Sequence, residues 1–124
     1  MSGQVKSFPC NTDGMVAAQA FLESVCESPK PKIVMDEIVS NIVRCSGARE
    51  FSIALSDLEG GGMEMSFTDD GAPFDPTSDV KPPDITAGIE DREIGGLGIF
   101  MVKRMSKSVK YVRETDRNVL TVVM

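Results

Sequence analysis

Two stretches of this chain constrain its fold more than any others. DDGAPFDP, Asp69 to Pro76, ends a run of alternating apolar and polar residues, and GGLGIFMVKRM, Gly95 to Met105, opens a new apolar-periodic segment further on. A carboxylate at a strand end can accept a hydrogen bond from an exocyclic amine, and a glycine two residues later lets a ring approach the backbone. Glycines at the entry to a helix leave backbone N–H groups free to meet phosphate oxygens. Upstream, MDEIVSN places Glu37 and Asn41 four residues apart, on one helical face, with Arg44 returning to the same stripe. Taken singly, each has a plainer reading. The helical stripe is equally a solvated polar face, Asp69-Asp70-Gly71 an ordinary turn, and the glycines a hinge. Together, in one order, they describe a nucleotide site with magnesium-dependent chemistry, since magnesium takes oxygen ligands and completes its shell with phosphates and water.

The rest of the sequence sets the frame. Residues 4–10 read as a short strand with Pro9 marking an edge or an end. Asn11 or Thr12 caps a helix running to about Glu27, with Met15, Ala18, Phe21, Leu22 and Val25 as its apolar stripe. Ser28 to Lys32 breaks it, and a second helix runs from Ile33 to Cys45, with Ile38 and Ile42 facing the core and Gly47 as its stop. Phe51 to Leu58 alternates as a half-buried strand, Glu59 to Gly62 turns, and Met63 to Phe67 returns, delivering Asp69 to its end. Ala72 to Ile94, with Pro73, Pro76, Pro82 and Pro83, is too long for an ordinary connection and reads as either a functional lid or a disordered segment. A third helix spans Gly98 to Met105, and Val109 to Arg113 pairs with Val119 to Val123 across a turn at Thr115 to Asn118. Helices gathered against a mixed, largely antiparallel sheet make an α+β two-layer sandwich, one domain over residues 1–124.

Composition removes several function classes. A net charge of −6 argues against broad binding to nucleic acid or anionic lipid. The chain has no histidine, which excludes Ser-His-Asp triads, histidine-ligated zinc and a phosphohistidine on this chain. Any general base is then a carboxylate, lysine, tyrosine or cysteine. Three widely spaced cysteines, Cys10, Cys26 and Cys45, form no CxxC pair and read as buried thiols in a reducing cytoplasm. The apolar runs are far short of a membrane span, and the first residues do not form a secretory signal.

Glu37-x-x-x-Asn41, Asp69-x-Gly71-x-Pro73-Phe74-Asp75-Pro76 and Gly96-Leu97-Gly98-Ile99-Phe100-x-Val102 resemble the three ATP-binding boxes of the Bergerat-fold ATPases. That superfamily includes gyrase-type topoisomerases, mismatch-repair ATPases and histidine kinases. The wording of the last two boxes resembles most closely the bacterial anti-sigma-factor serine/threonine kinases. The resemblance implies that Asn41 ligates a magnesium ion bridging the phosphates of ATP. It implies that Glu37 is the general base toward a substrate serine, that Asp69 binds the adenine amino group, and that Gly71 lets the purine pack close. Pro73 and Phe74 belong to the same base-binding box, Arg44 to the phosphate side. Gly95, Gly96, Leu97 and Gly98 flank the phosphates as the lid closes, with Lys81 and Arg92 as candidate phosphate contacts. The implied partners are a STAS-domain anti-anti-sigma protein and, in the alternative state, a sigma factor, without direct nucleic acid or membrane contact. The branch commonly dimerises, so a homodimer is an expectation. Where the family often has NAxxHxY, this chain has Asn41-Ile42-Val43-Arg44-Cys45-Ser46, with Arg44 the candidate positive charge. Where the family carries a Gly-Thr whose hydroxyl supports the adenine-binding Asp, this chain has Arg117-Asn118, leaving that support unassigned. Two functions follow: a kinase of the anti-sigma type, or a nucleotide-dependent protein-binding module with little or no kinase turnover.

Overall fold

The computed structural model describes residues 3–75 and 96–124, with the backbone alone for 96–99. The elements run β1 (Gln4–Pro9), α1 (Thr12–Glu23), α2 (Pro29–Cys45), β2 (Glu50–Asp57), β3 (Met63–Asp69), α3 (Gly96–Met105), β4 (Ser108–Glu114) and β5 (Arg117–Val123). The five strands form one sheet in the order β1-β2-β3-β5-β4, every pairing antiparallel. Among the described residues there is thus no parallel pair, and the α+β expectation holds in its fully antiparallel form. α1 and α3 each pack against α2, which places α2 at the centre of the helical layer.

Alternation builds the core. Phe51, Ile53 and Leu55 of β2, Met65 and Phe67 of β3, and Leu120 and Val122 of β5 all turn inward. Ala18 and Leu22 of α1, Val34, Met35, Ile38 and Val39 of α2, and Val102 of α3 meet them. Fully burying side chains of this size stabilises the fold by about 1.5–3 kcal/mol each before the entropy cost.

The ends of the elements depart from the sequence-based boundaries for local reasons. Asn11 caps α1, its Oδ1 accepting from the Gly14 amide at 2.9 Å. The helix stops at Glu23, not Glu27: Ser24 turns its hydroxyl back to the Phe21 carbonyl at 2.6 Å. α2 begins four residues earlier than expected, at Pro29, because proline is tolerated in a first turn, where the N–H groups have no partner. Gly47, with φ of +67°, ends α2 as expected of a left-handed position past a helix. The cysteine expectation holds only in part. Cys10 and Cys26 are half-buried but Cys45 is exposed, since it lies on the outer face of the last turn of α2.

Asp70 ties the exit of α2 to the end of β3. Its Oδ1 accepts from the Arg49 amide at 2.9 Å and the Glu50 amide at 3.3 Å. The Arg49 bond first, with help from Glu50, holds the Asp70 carboxyl below the usual carboxylate range. A carboxyl whose folded pKa is lowered adds stability that is complete above its unfolded pKa and is lost as pH falls through the lower folded value. Asp70→Ala is therefore expected to cost about 1 kcal/mol at neutral pH. Urea denaturation should show the gap between wild type and variant narrowing in acid; a gap constant with pH would contradict the assignment.

Candidate functional site

The register of the sheet makes the site. Asp69, the last residue of β3, pairs across the ladder with Asn118 near the start of β5. Both side chains point to the helical layer and are buried, at 6% and 3% exposure. Asn118 Nδ2 donates to Asp69 Oδ1 at 3.0 Å and to the Ala72 carbonyl at 2.8 Å. Asn118 Oδ1 accepts from the Tyr111 hydroxyl, from the Phe74 amide at 3.2 Å and from Arg113 Nη1 at 3.2 Å. Arg113 Nη1 also donates to the Gly71 carbonyl at 2.8 Å. One amide thus organises the carboxylate, the following turn and two side chains of β4.

Asp69 Oδ1 takes a second bond, from the Gly71 amide at 2.9 Å. Among the described residues both donors reach Oδ1 and none reaches Oδ2. Oδ2 is thus left without a partner among the described residues, on a side chain that lines the neighbouring cleft. That is the acceptor an exocyclic amine requires. Gly71 has a packing reason of its own: a Cβ there would lie 2.3 Å from the Ser46 carbonyl oxygen. The Ala72 amide donates to that same carbonyl at 3.1 Å, docking the turn on the end of α2.

The cleft lies between α2 and the sheet. Ile38, Asn41 and Ile42 line it from α2, Phe67, Asp69, Asn118 and Leu120 from β3 and β5, and Phe74 and Tyr111 close its sides. It holds about 290 Å³ counting its open mouth. Apolar walls with a few convergent polar atoms are the usual make-up of a small-molecule site.

Asn41 enters from the helix. It is 5% exposed, and Arg44 Nη2 donates to its Oδ1 at 3.1 Å. Its Nδ2 is the one buried side-chain polar atom among the described residues without a partner. An unpaired buried donor costs about 1–3 kcal/mol, which a ligand would recover. Glu37 sits half-buried one turn earlier on α2 and is not among the residues lining the cleft. Arg44 is exposed and clipped to its own helix, Nε donating to the Ser40 carbonyl at 3.3 Å. Pro73 is exposed beside half-buried Phe74.

Of the site residues expected from sequence, Asn41, Asp69, Gly71 and Phe74 converge. Gly96, Leu97 and Gly98 fall in the first turn of α3, which starts two residues earlier than expected. Gly95, Lys81, Arg92 and the lid from 76 onward lie outside the described residues. No group of three acidic or cysteine side chains able to hold a metal occurs among the described residues. The side-chain oxygen in the cleft suited to magnesium, Asn41 Oδ1, is engaged by Arg44, so the residues fit the metal only if that bond opens, with the remaining shell left to phosphates and water. Cys10 lies behind the site, its Sγ 3.8 Å from the Ile42 carbonyl. Burial first, against a lowering bond to Ser46 and with the charges of Asp69 and Asp70, pushes its thiol up, so it is an unreactive proton-bearing group.

Sequence reasoning missed Asn118, Tyr111 and Arg113. The turn before β5 was expected to include Asn118, but it closes at Thr115 and Asp116, and Arg117 pairs with Glu114. The signal was present: Asn118, Leu120 and Val122 share one face at strand spacing. Asn118→Ala removes both donors and leaves the Tyr111 hydroxyl and the Phe74 amide without their acceptor. It is expected to lower ATP affinity roughly tenfold, about 1.4 kcal/mol, in calorimetric titration, together with a loss of stability of about 1–3 kcal/mol in urea denaturation. Unchanged ATP affinity in a folded variant would contradict a role for Asn118 in orienting Asp69.

A family model described as a histidine kinase-like ATPase domain matches residues 15–124. A similar solved structure is the histidine kinase domain of the blue-light activated histidine kinase from Erythrobacter litoralis EL346, with a TM-score of 0.52 and 10% sequence identity. The alignment covers 94% of this chain and 60% of that one, so the chain spans somewhat less than two thirds of that structure's length. At such identity the likeness concerns the fold. No curated protein matches the chain significantly. The family match takes in α2, the β3–β5 pair and the whole cleft between them, and by it this chain belongs to the histidine kinase-like ATPase domains.

Proposed function

We propose that the cleft binds the adenine of ATP and that the protein is a serine/threonine kinase of the anti-sigma type, acting on a STAS-domain partner. The observation that carries the nucleotide reading is the convergence of Asp69, Asn118 and Asn41 on one apolar cleft. Asp69 Oδ2 takes the adenine amino group, Phe74 and Ile38 enclose the ring, and the phosphates leave the mouth beside Asn41 and the start of α3. The N-terminus of α3, opening on Gly96-Leu97-Gly98, is the element whose amides and dipole suit anionic oxygens. Magnesium would be held on the protein side by Asn41 Oδ1 only once Arg44 releases that oxygen, and there it would draw charge from the phosphates.

The kinase reading rests on Glu37 and on the wording of the second and third boxes. In it the serine oxygen attacks the γ-phosphorus, the bond to ADP breaks, and Glu37 accepts the hydroxyl proton. Such transfer needs positioning, charge neutralisation and a base, and no imidazole. A sigma factor held in the alternative nucleotide state, a cytoplasmic setting and a homodimer belong to the same reading. The second reading is a nucleotide-dependent binding module with little or no turnover. It is favoured by two features: Glu37 stands outside the cleft lining, and Arg44 occupies the Asn41 oxygen.

Glu37→Gln separates the two. Incubation with labelled ATP and the STAS-domain proteins of the source organism should show transfer to serine or threonine by the wild type. The variant should transfer roughly 10²–10⁴-fold more slowly, the usual contribution of a positioned base, with ATP affinity little changed. Full transfer by Glu37→Gln would refute the base assignment. A wild type that binds ATP and a partner tightly yet never transfers phosphate would decide for the binding module.

A further inference from the structure

We infer that Arg44 and magnesium compete for Asn41, so that this site takes up a nucleoside phosphate without its metal; the inference rests on the nucleotide reading above. Arg44 Nη2 and Nε bond to Asn41 Oδ1 at 3.1 Å and to the Ser40 carbonyl at 3.3 Å. These two bonds fix the guanidinium on its own helix, one turn back. They also decide which way the amide faces. The oxygen must meet the cationic donor, because the amide nitrogen in its place would set donor against donor. Nδ2 is consequently the orphan, in a side chain that is 95% enclosed and lines the cleft.

Magnesium demands oxygen ligands at about 2.0–2.1 Å in near-octahedral order. The Asn41 oxygen has a second lone pair, but an ion on it would stand beside a guanidinium that does not lose its proton. The two cations exclude one another at that atom. A metal-free phosphate meets a different surface. Arg44, exposed, supplies a permanent positive charge matched to an anionic oxygen, and Asn41 Nδ2, a sealed donor without a partner, gains an acceptor when the lining beside it opens to the phosphate. Metal entry then requires Arg44 to release Asn41 and the amide to present its oxygen instead.

The test is calorimetric titration of ADP into the whole protein, once with excess chelator and once with excess magnesium. Wild type should bind with affinities within about threefold of each other, below the usual range of coupling between two ligands. Arg44→Met should lose about tenfold or more in chelator and keep its affinity in magnesium, acquiring a metal dependence that the wild type lacks. A second readout needs no affinity change: the Asn41 side-chain amide resonance, identified by its loss in Asn41→Asp, should shift on addition of metal-free ADP. Equal and strong magnesium dependence in wild type and Arg44→Met, or an unmoved amide resonance, would overturn the inference alone. Failure of the wild type to bind ADP under both conditions would overturn it together with the nucleotide reading.

Discussion

The hydrogen bond from Asn118 to Asp69 across β3 and β5 is the interaction on which the rest of the site depends. A carboxylate buried to 6% exposure is tolerated only with partners that keep it oriented and hydrogen-bonded. Asn118 and the Gly71 amide both bond Oδ1, so the second oxygen is the one left for a ligand. The same Asn118 amide holds the Ala72 carbonyl and the Phe74 amide, so the turn after β3 is fixed by the residue that fixes the carboxylate. Two N–H donors and an accepting oxygen on one side chain do this; the hydroxyl expected at this place in the family has a single donor, too few for both the carboxylate and the Ala72 carbonyl.

α2 carries two duties on adjacent stripes. Val34, Met35, Ile38 and Ile42 anchor it to the sheet, while Asn41 stands at the cleft and Glu37 and Arg44 flank it outward. The apolar stripe thereby sets the depth at which the polar one meets a ligand. Docking at the helix end is just as close. Gly71 packs where no Cβ fits against Ser46, and Asp70 seizes the amides of Arg49 and Glu50. The site is held between a helix and a strand end, with short bonds on both sides.

Much of this was legible in the sequence. Alternation in Phe51–Leu55 and Met63–Phe67 gave the central hairpin, and Gly47 gave the end of α2. Asp69, Asn41 and Phe74 were found through motif wording, and the fold places all three on one cleft. Helix starts were harder. Pro29 and Pro31 look like breakers until one sees that they occupy a first turn, where a missing N–H costs nothing. Asn118 was missed because Thr-Asp-Arg-Asn reads as turn chemistry. Only the pairing of Arg117 with Glu114 shows that the last two residues are strand. The bond between Arg44 and Asn41 was also out of reach, since spacing places two side chains on a face without saying which amide atom they engage.

The central claim is that Asp69 Oδ2 reads an exocyclic amine, as adenine offers and guanine does not offer in the same place. Calorimetric titration of wild type and Asp69→Asn with ATP and GTP tests it most directly. The account predicts a clear preference of the wild type for ATP. It predicts loss of ATP affinity by on the order of 1–3 kcal/mol in Asp69→Asn, whose amide would set a donor against the amine. Equal affinity of the wild type for ATP and GTP, unchanged in the variant, would contradict it.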